Sequence, residues 1–264
     1  MGLESLCTAM IAVPPPLWAW SKHVENQCAP DAISAYWKTH EVLTFLADTG
    51  MYDASLDQGL DSAEKEQVMH FKSDYFKKRF AVSRSILRLI LHNIPGMENN
   101  ADIILNKEKN RRIRVNTRQD IFISLSYSGS CIAVSVGKRK IGSDIERVRM
   151  VNIMKIRSSP LFENLKSGNG KLRNQHFLHV WTLLEAYTKF HDMSLYPLVK
   201  DRFFLPDVHF VSYCIDKRYI LSLASDSHPL KNALFWIDPE TFSSAVKNAT
   251  CISSPSCGDP YVRS

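Results

Sequence analysis

Two acidic motifs are the part of this sequence best suited to chemistry. The first spans residues 142–146 (Gly-Ser-Asp-Ile-Glu) and the second spans 181–189 (Trp-Thr-Leu-Leu-Glu-Ala-Tyr-Thr-Lys). Together they supply three carboxylates and a lysine, namely Asp144, Glu146, Glu185 and Lys189. Carboxylate oxygens suit a hard cation, and Mg²⁺ usually keeps coordination positions for water and substrate phosphates. The two motifs therefore predict a site that holds Mg²⁺ against a pyrophosphate.

The first motif is predicted to lie on a strand. It follows an apolar run, 131–136, and a basic turn, 138–140, so residues 141–146 have the pattern of the returning strand of a hairpin. Side chains alternate along a strand, so we expect Asp144 and Glu146 to face the same side.

The second motif is predicted to lie on a helix over residues 176–191. Apolar residues recur there at helical spacing, and they are Phe177, Val180, Trp181, Leu184 and Tyr187. Glu185 and Lys189 stand one turn apart, so the lysine can neutralise the glutamate or a phosphate beside it. His176 and His179 lack a third ligand in the pattern, and we interpret them as polar-face residues rather than a zinc site.

Basic and hydroxyl-bearing segments precede both motifs. Residues 122–129 form a predicted strand ending in hydroxyls and a glycine, which suits contacts to phosphate oxygens, and a basic segment, 109–114, lies before it. Further upstream, 61–93 is predicted to be one long helix, with Asp61 and Glu64 as a capping box and Pro95 after its end. Its apolar stripe would be Phe76, Phe80, Leu87 and Leu91, with Lys77, Arg84 and Arg88 on a neighbouring face.

In this order, these segments resemble the 4'-phosphopantetheinyl transferases of the Sfp type. That family has an arginine-rich helix, a basic residue before a short strand, a Ser-His-Ser strand, a Gly-x-Asp-x-Glu strand and a Trp-x-x-Lys-Glu-Ala-x-x-Lys helix. The resemblance covers roughly residues 60 to 190. Two positions depart from it: Tyr127 stands where the family has histidine, and Leu184 stands where a lysine precedes the glutamate.

The resemblance implies transfer of the phosphopantetheine arm of coenzyme A to a serine of an acyl, peptidyl or aryl carrier protein, as in holo-[acyl-carrier-protein] synthases. Fatty-acid, polyketide or peptide synthesis would be served. Asp144, Glu146 and Glu185 would hold Mg²⁺, with Glu185 as general base and Lys189 as a second catalytic group. The residues assigned to coenzyme A are Lys65, Arg79, Arg84, Arg88, Arg111, Ser126 and Tyr127.

The resemblance also implies an α+β fold of two similar halves around a pseudo-twofold axis, with the active site in the cleft between them. We expect the halves to span 1–136 and 137–247, with a flexible tail over 248–264. One cleft completed within one chain indicates a monomer. The loop between Met150 and Asn174, with a mobile stretch over 164–174, is the predicted surface for an acidic carrier protein.

Composition agrees with these expectations. The chain has 264 residues, 45% of them hydrophobic, and a net charge of +6, which suits an anionic cofactor but equally suits nucleic acid. No run reaches the ~18 apolar residues of a membrane span, and no signal peptide is indicated, so a cytoplasmic protein is expected. The six cysteines lack CxxC spacing, so neither zinc nor a disulfide framework is predicted.

Three other interpretations stay open. A metal-dependent nuclease would also use clustered carboxylates on a cationic chain, although the serine strand and the tryptophan helix have no required role there. A noncatalytic homologue that binds coenzyme A or a carrier protein would keep the fold without turnover. A structural domain carrying these motifs by chance is the third. Nucleic acid and membranes are not predicted partners of the transferase.

Overall fold

The structure, a computed structural model, describes residues 24, 28–52, 59–97, 105–107, 113–115, 120–152, 170–195, 208–226, 231–242 and 244. The main helices are α1 (Ala32–Thr39), α2 (Ser62–His70), α3 (Asp74–His92) and α4 (Gly170–His191). The strands are β1 (Val42–Asp48), β2 (Leu105–Lys107), β3 (Ile113–Val115), β4 (Phe122–Ser128), β5 (Cys131–Gly137), β6 (Ile141–Arg147), β7 (His209–Ile215), β8 (Tyr219–Ser225) and β9 (Asn232–Trp236). The predicted α+β class is confirmed.

The strands form two sheets. One has six strands in the order β2-β3-β4-β5-β1-β9, and the other has three in the order β6-β8-β7. β7 and β8 make a hairpin, whose turn places Asp216 and Lys217 at φ 49° and 56°. All pairs are antiparallel except β1 with β9, which run parallel.

The predicted hairpin between β5 and β6 is wrong, although β6 itself is a strand as expected. Both edges of β5 are already taken, by β1 on one side and β4 on the other. With no free backbone groups left on β5, β6 crosses to the smaller sheet and pairs with β8. This crossing places the Asp-x-Glu motif on the edge strand of the smaller sheet, against β4 of the larger one.

Four layers build the core. Helices α1 and α3 cover one face of the six-stranded sheet, where Trp37, Ile86 and Phe235 are buried together. The opposite face of that sheet packs on the three-stranded sheet through residues such as Leu46 and Leu223. Helix α4 covers the outer face of the smaller sheet. Side-chain alternation along each strand supplies both faces of each sheet with apolar residues.

The predicted long helix over 61–93 is two helices. The capping box at its start is confirmed, since Asp61 accepts from the Glu64 N–H and Glu64 accepts from the Asp61 N–H. The chain then leaves helical geometry at Phe71 (ψ 130°) and Ser73 (ψ 128°) before α3 begins. The break lets Phe71 fold back against Phe80, with ring centroids 5.5 Å apart.

Two further boundaries differ from the sequence expectations. Helix α4 begins at Gly170, so the last residues of the expected mobile stretch 164–174 are helical, and the rest of the Met150–Asn174 loop lies largely outside the described residues. Strand β9 lies in the six-stranded sheet, so that sheet takes strands from both sides of residue 136. The pseudo-twofold relation and the division into halves stay predictions. The tail 248–264 lies outside the described residues.

No helix within the described ranges is long and apolar enough to cross a membrane.

Candidate functional site

A cavity of about 1060 Å³ lies where the two sheets meet. One wall comes from α2, α3 and β4, and the other comes from β6 and α4. The cavity brings together most of the predicted site residues: Arg79, Arg84, Ser126, Tyr127, Asp144, Glu146, Glu185 and Lys189. Its walls are therefore basic on the α3 side and acidic on the β6 and α4 side.

Three serines on β4 join the two walls. Ser124, Ser126 and Ser128 recur at every second residue, so they share one face of the strand. Their hydroxyls accept hydrogen bonds from the backbone N–H groups of Ser143, Ile145 and Arg147, at 2.8, 3.0 and 2.8 Å respectively. Side chains thus replace the backbone ladder between β4 and β6, and they fix β6 against the larger sheet.

Two of these serines also orient the acidic motif. Ser126 donates to Asp144 Oδ1 at 2.7 Å, and Ser128 donates to Glu146 Oε2 at 2.7 Å. Sequence reasoning assigned Ser126 to a phosphate and did not single out Ser128 by itself. The structure instead places both hydroxyls on the carboxylates. The sequence feature that could have predicted this pairing is the i, i+2 spacing that Ser126 and Ser128 share with Asp144 and Glu146.

A close approach of β6 to α4 places the lysine. A Cβ on Gly142 would lie 2.0 Å from the Ala186 carbonyl oxygen and 2.5 Å from the Phe190 nitrogen, so only glycine fits there. With the helix this close, Lys189 Nζ donates to the Ser143 carbonyl at 3.0 Å and to Asp144 Oδ1 at 2.8 Å. The glycine of the motif therefore has a packing role.

Asp144 is the most enclosed of the carboxylates. Burial raises the pKa of Asp144, while the Lys189 ammonium and the Ser126 hydroxyl favour its charged form. A buried carboxylate that keeps a cation and a hydroxyl donor is arranged to hold negative charge in place.

Glu185 is half-buried and lines the same cavity. Burial raises its pKa, and the negative charges of Asp144 and Glu146 raise it further, against the opposing effect of Lys189. A glutamate with a raised pKa is a stronger base than an exposed one, which suits a proton-accepting role.

Asp144, Glu146 and Glu185 lie together on one side of the cavity. Their combined negative charge suits a hard cation. Within the described ranges, however, no group of three or more His, Cys, Asp or Glu side chains is spaced to hold a metal as it stands. Lys189 contacts Asp144, and Arg149 contacts Glu146 at 2.6 Å. A cation would have to share these carboxylates with the two basic side chains.

The helix arginines differ in their surroundings. Arg88 pairs with Glu64 at 2.8 Å and with Asp61, and it does not line the cavity. Arg84 is buried, lies 3.7 Å from Glu64 and does line the cavity, and its Nη1 has no hydrogen-bond partner among the described residues. Burial lowers the pKa of Arg84, an effect that Glu64 opposes.

Arg79 lies among aromatic rings instead. Its guanidinium carbon is 4.6 Å from the ring centroid of Tyr127, 4.9 Å from that of Phe76 and 5.4 Å from that of Tyr75. The Tyr127 hydroxyl donates to Ser83 Oγ at 3.1 Å.

The remaining predicted residues lie elsewhere. Lys65 is exposed on α2 and does not line the cavity. Arg111 lies outside the described residues. Leu184 is fully buried in the core beneath α4, which explains why an apolar residue is tolerated there. Trp181, predicted as part of the buried stripe, is half-buried and lines the cavity.

This combination of a basic wall, an acidic wall and a candidate base suits an enzyme that moves a phosphate-linked group. Comparison with known proteins points the same way. The chain is 24% identical over 115 residues to the 4'-phosphopantetheinyl transferase psf-1 of Bacillus pumilus. The match covers 42% of this chain and 49% of that protein, so the chain spans about half the length of the curated relative.

No family model matches the chain. The distant similarity supports the phosphopantetheinyl transferase superfamily and a group-transfer reaction of that general type, without distinguishing the Sfp type within it.

Proposed function

We propose that this protein transfers the 4'-phosphopantetheine group from coenzyme A to a serine of an apo carrier protein. The observation that carries this proposal is the meeting of three carboxylates and two arginines in one cavity, on the motifs that resemble the Sfp type. The distant similarity to a 4'-phosphopantetheinyl transferase supports the same general reaction. The products would be the holo carrier protein and adenosine 3',5'-bisphosphate.

Glu185 is the proposed general base. In this step Glu185 accepts the proton of the carrier serine, and the serine oxygen forms a bond to the phosphorus that bears the pantetheine arm. The bond from that phosphorus to the bridging oxygen of the pyrophosphate breaks, and adenosine 3',5'-bisphosphate leaves with the electron pair. The raised pKa of Glu185 favours this role.

The basic residues are proposed to bind the phosphates. Arg79 and Arg84 line the cavity opposite the carboxylates, and the planar guanidinium suits phosphate oxygens. Lys189 contacts Asp144 and lies one helical turn after Glu185, so its ammonium would neutralise a pyrophosphate bound beside these carboxylates. Arg88 would support the site through Glu64 and not through direct contact.

Mg²⁺ is the proposed metal, held by Asp144, Glu146 and Glu185. When bound it would neutralise the developing charge of the leaving phosphate, as divalent ions do in phosphoryl transfer. Ser126 and Ser128 would keep the first two carboxylates oriented toward it.

One alternative has a specific observation in its favour. Lys189 already compensates Asp144, and no three-ligand group is assembled within the described part of the chain. A noncatalytic homologue that binds coenzyme A or a carrier protein would fit these two facts as well.

Intact-mass spectrometry separates the two functions. A panel of apo carrier proteins is incubated with the protein, coenzyme A and Mg²⁺, in parallel with the exposed-site control Glu240→Gln. Transfer adds the phosphopantetheine arm, about 340 Da, to one or more carriers. Coenzyme A binding without any mass gain on the panel would favour the noncatalytic homologue, and neither binding nor gain would contradict both.

A further inference from the structure

Arg79 differs from the other two helix arginines in how its charge is compensated. Arg84 and Arg88 lie beside Glu64, and Arg88 also contacts Asp61. Arg79 has no carboxylate partner within the part of the chain that the structure describes, although it lines the cavity. Of the three arginine charges, that of Arg79 is therefore the most available to an anionic ligand in the cavity.

Aromatic rings hold Arg79 instead of acids. The nearest ring is that of Tyr127 on β4, whose centroid lies 4.6 Å from the guanidinium carbon. Tyr75 and Phe76 precede Arg79 on its own helix. A cation–π contact stabilises the guanidinium through the face of the ring, so it does not use the N–H hydrogen-bond donors. The N–H donors stay available while the side chain is restrained.

The ring of Tyr127 is itself fixed to the helix. Its hydroxyl donates to Ser83 Oγ, and Ser83 Oγ donates to the Phe80 carbonyl at 2.9 Å. Ser83 lies one helical turn after Arg79, so the tether joins the ring to the same segment that carries the arginine. The phenolic proton is thus directed at the helix and not at the cavity.

We infer that Tyr127 is a positioning residue that presents Arg79 to a phosphate of the nucleotide co-substrate, through its ring and not through its hydroxyl. This inference rests on the proposed function for the identity of the ligand, coenzyme A. It also assigns a role to the tyrosine that departs from the family's histidine: the imidazole would be a direct ligand, whereas the phenol acts through Arg79.

Calorimetric titration with coenzyme A tests the inference on the full chain. Tyr127→Phe keeps the ring, so its Kd should stay within about twofold of the wild-type value, because the cation–π contact survives. Tyr127→Leu should raise the Kd about three- to tenfold, the range expected for losing such a contact. In an Arg79→Ala background, Tyr127→Leu should cause no further loss.

Transfer kinetics give a second readout. Tyr127→Leu should raise the KM for coenzyme A and leave kcat at saturating coenzyme A unchanged, because the residue acts on binding through Arg79. A general packing defect would lower kcat as well.

The ring contact can also be observed without any ligand. The Arg79 Nε–H resonance, assigned by its loss in Arg79→Ala, should be shifted by the neighbouring rings in the wild type. It should keep that shift in Tyr127→Phe and lose part of it in Tyr127→Leu.

Several results would overturn the inference. An equal loss of affinity in the Phe and Leu variants would show that the hydroxyl and not the ring decides binding, and additive losses in the double variant would show that the ring does not act through Arg79. If the Leu variant does not fold, Tyr127→Phe alone decides. Failure of the wild-type protein to bind coenzyme A would overturn the proposed ligand together with the inference, whereas binding with the wrong variant pattern would overturn the inference alone.

Discussion

At the scale of single residues, the site holds carboxylates in buried surroundings that disfavour their negative charge. Glu185 and Asp144 are carboxylates whose pKa burial raises, and they stand close enough to Glu146 for its charge to add to the effect. Structural carboxylates usually gain stability from their partners, so a pair held at this cost indicates a functional role. Stability and activity should therefore respond in opposite directions to neutralisation of Glu185.

Glu185→Gln tests this expectation through stability alone. Because the folded-state pKa of Glu185 is raised, its contribution to stability is present below the unfolded pKa and is lost as pH rises through the folded pKa. Above that range the variant should melt about 1–3 °C higher than the wild type, since glutamine carries no charge to desolvate. Thermal unfolding at several pH values measures the difference, which should vanish in acid. A variant that is less stable at neutral pH would show that Glu185 is stabilised by its surroundings.

At the scale of elements, the serine strand β4 and the glycine of β6 decide how the acidic motif is held. Sequence reasoning identified β4, β6 and the helix α4, and it placed Asp144 and Glu146 on one face, as observed. It missed that the serines bond β6 directly, because that contact depends on which strands already occupy β5. The break between α2 and α3 was also missed, since it is favoured by the tertiary contact of Phe71 with Phe80.

Ser126→Ala should weaken the join between β4 and β6. The variant leaves the Ile145 N–H without its acceptor and Asp144 without its hydroxyl donor, both in a buried setting. We expect a loss of about 1–3 kcal/mol in the free energy of unfolding, the usual cost of leaving buried polar groups unsatisfied. Denaturant unfolding measures it, with exposed Ser62→Ala as the control. Equal stability of the two variants would mean that the Ser126 hydrogen bonds between β4 and β6 contribute little to the free energy of unfolding.

Gly142→Ala should be more severe. The added methyl would overlap the Ala186 carbonyl and the Phe190 nitrogen, which are backbone atoms that cannot rotate away. We expect a loss of at least about 3 kcal/mol, at or beyond the upper end for overpacking. Gly50→Ala is a suitable control, because its nearest neighbour is the Asp48 side chain at 3.1 Å. Circular dichroism melts that show only a small shift for Gly142→Ala would contradict the close packing of β6 on α4.

At the scale of the whole molecule, strand β9 near the end of the described residues pairs with β1 near their beginning. Its pairing with β1 was not predicted, because a short apolar run has no pattern that reveals a partner 190 residues earlier. The Asn232 side-chain amide donates a hydrogen bond to the Thr44 hydroxyl, and Phe235 packs against Phe45. The α+β class was implied by the family resemblance, whereas the arrangement of the layers depends on such long-range pairs.

Phe235→Ala should therefore destabilise the whole molecule and not only its last strand. The ring is buried between Phe45 and Tyr36, so its removal leaves a cavity in the core under α1 and α3. A loss of about 3–5 kcal/mol is expected, as for other buried phenylalanines. Chemical denaturation measures it against Met150→Ala, a change at a side chain that is 80% exposed. If the variant lost only hydrogen-exchange protection in β9 and kept its global stability, β9 would not be an integral strand of the sheet.

The transfer reaction itself is the most direct test of the central claim, that the cavity between the sheets carries out phosphopantetheine transfer. Initial rates would be measured by intact mass on one modified carrier protein, for the wild type, Glu185→Gln and the control Glu240→Gln. We expect Glu240→Gln to match the wild type and Glu185→Gln to lose at least about 10²-fold in rate, the contribution expected of a general base. A Glu185→Gln variant that transfers at the wild-type rate would place the chemistry elsewhere in the molecule.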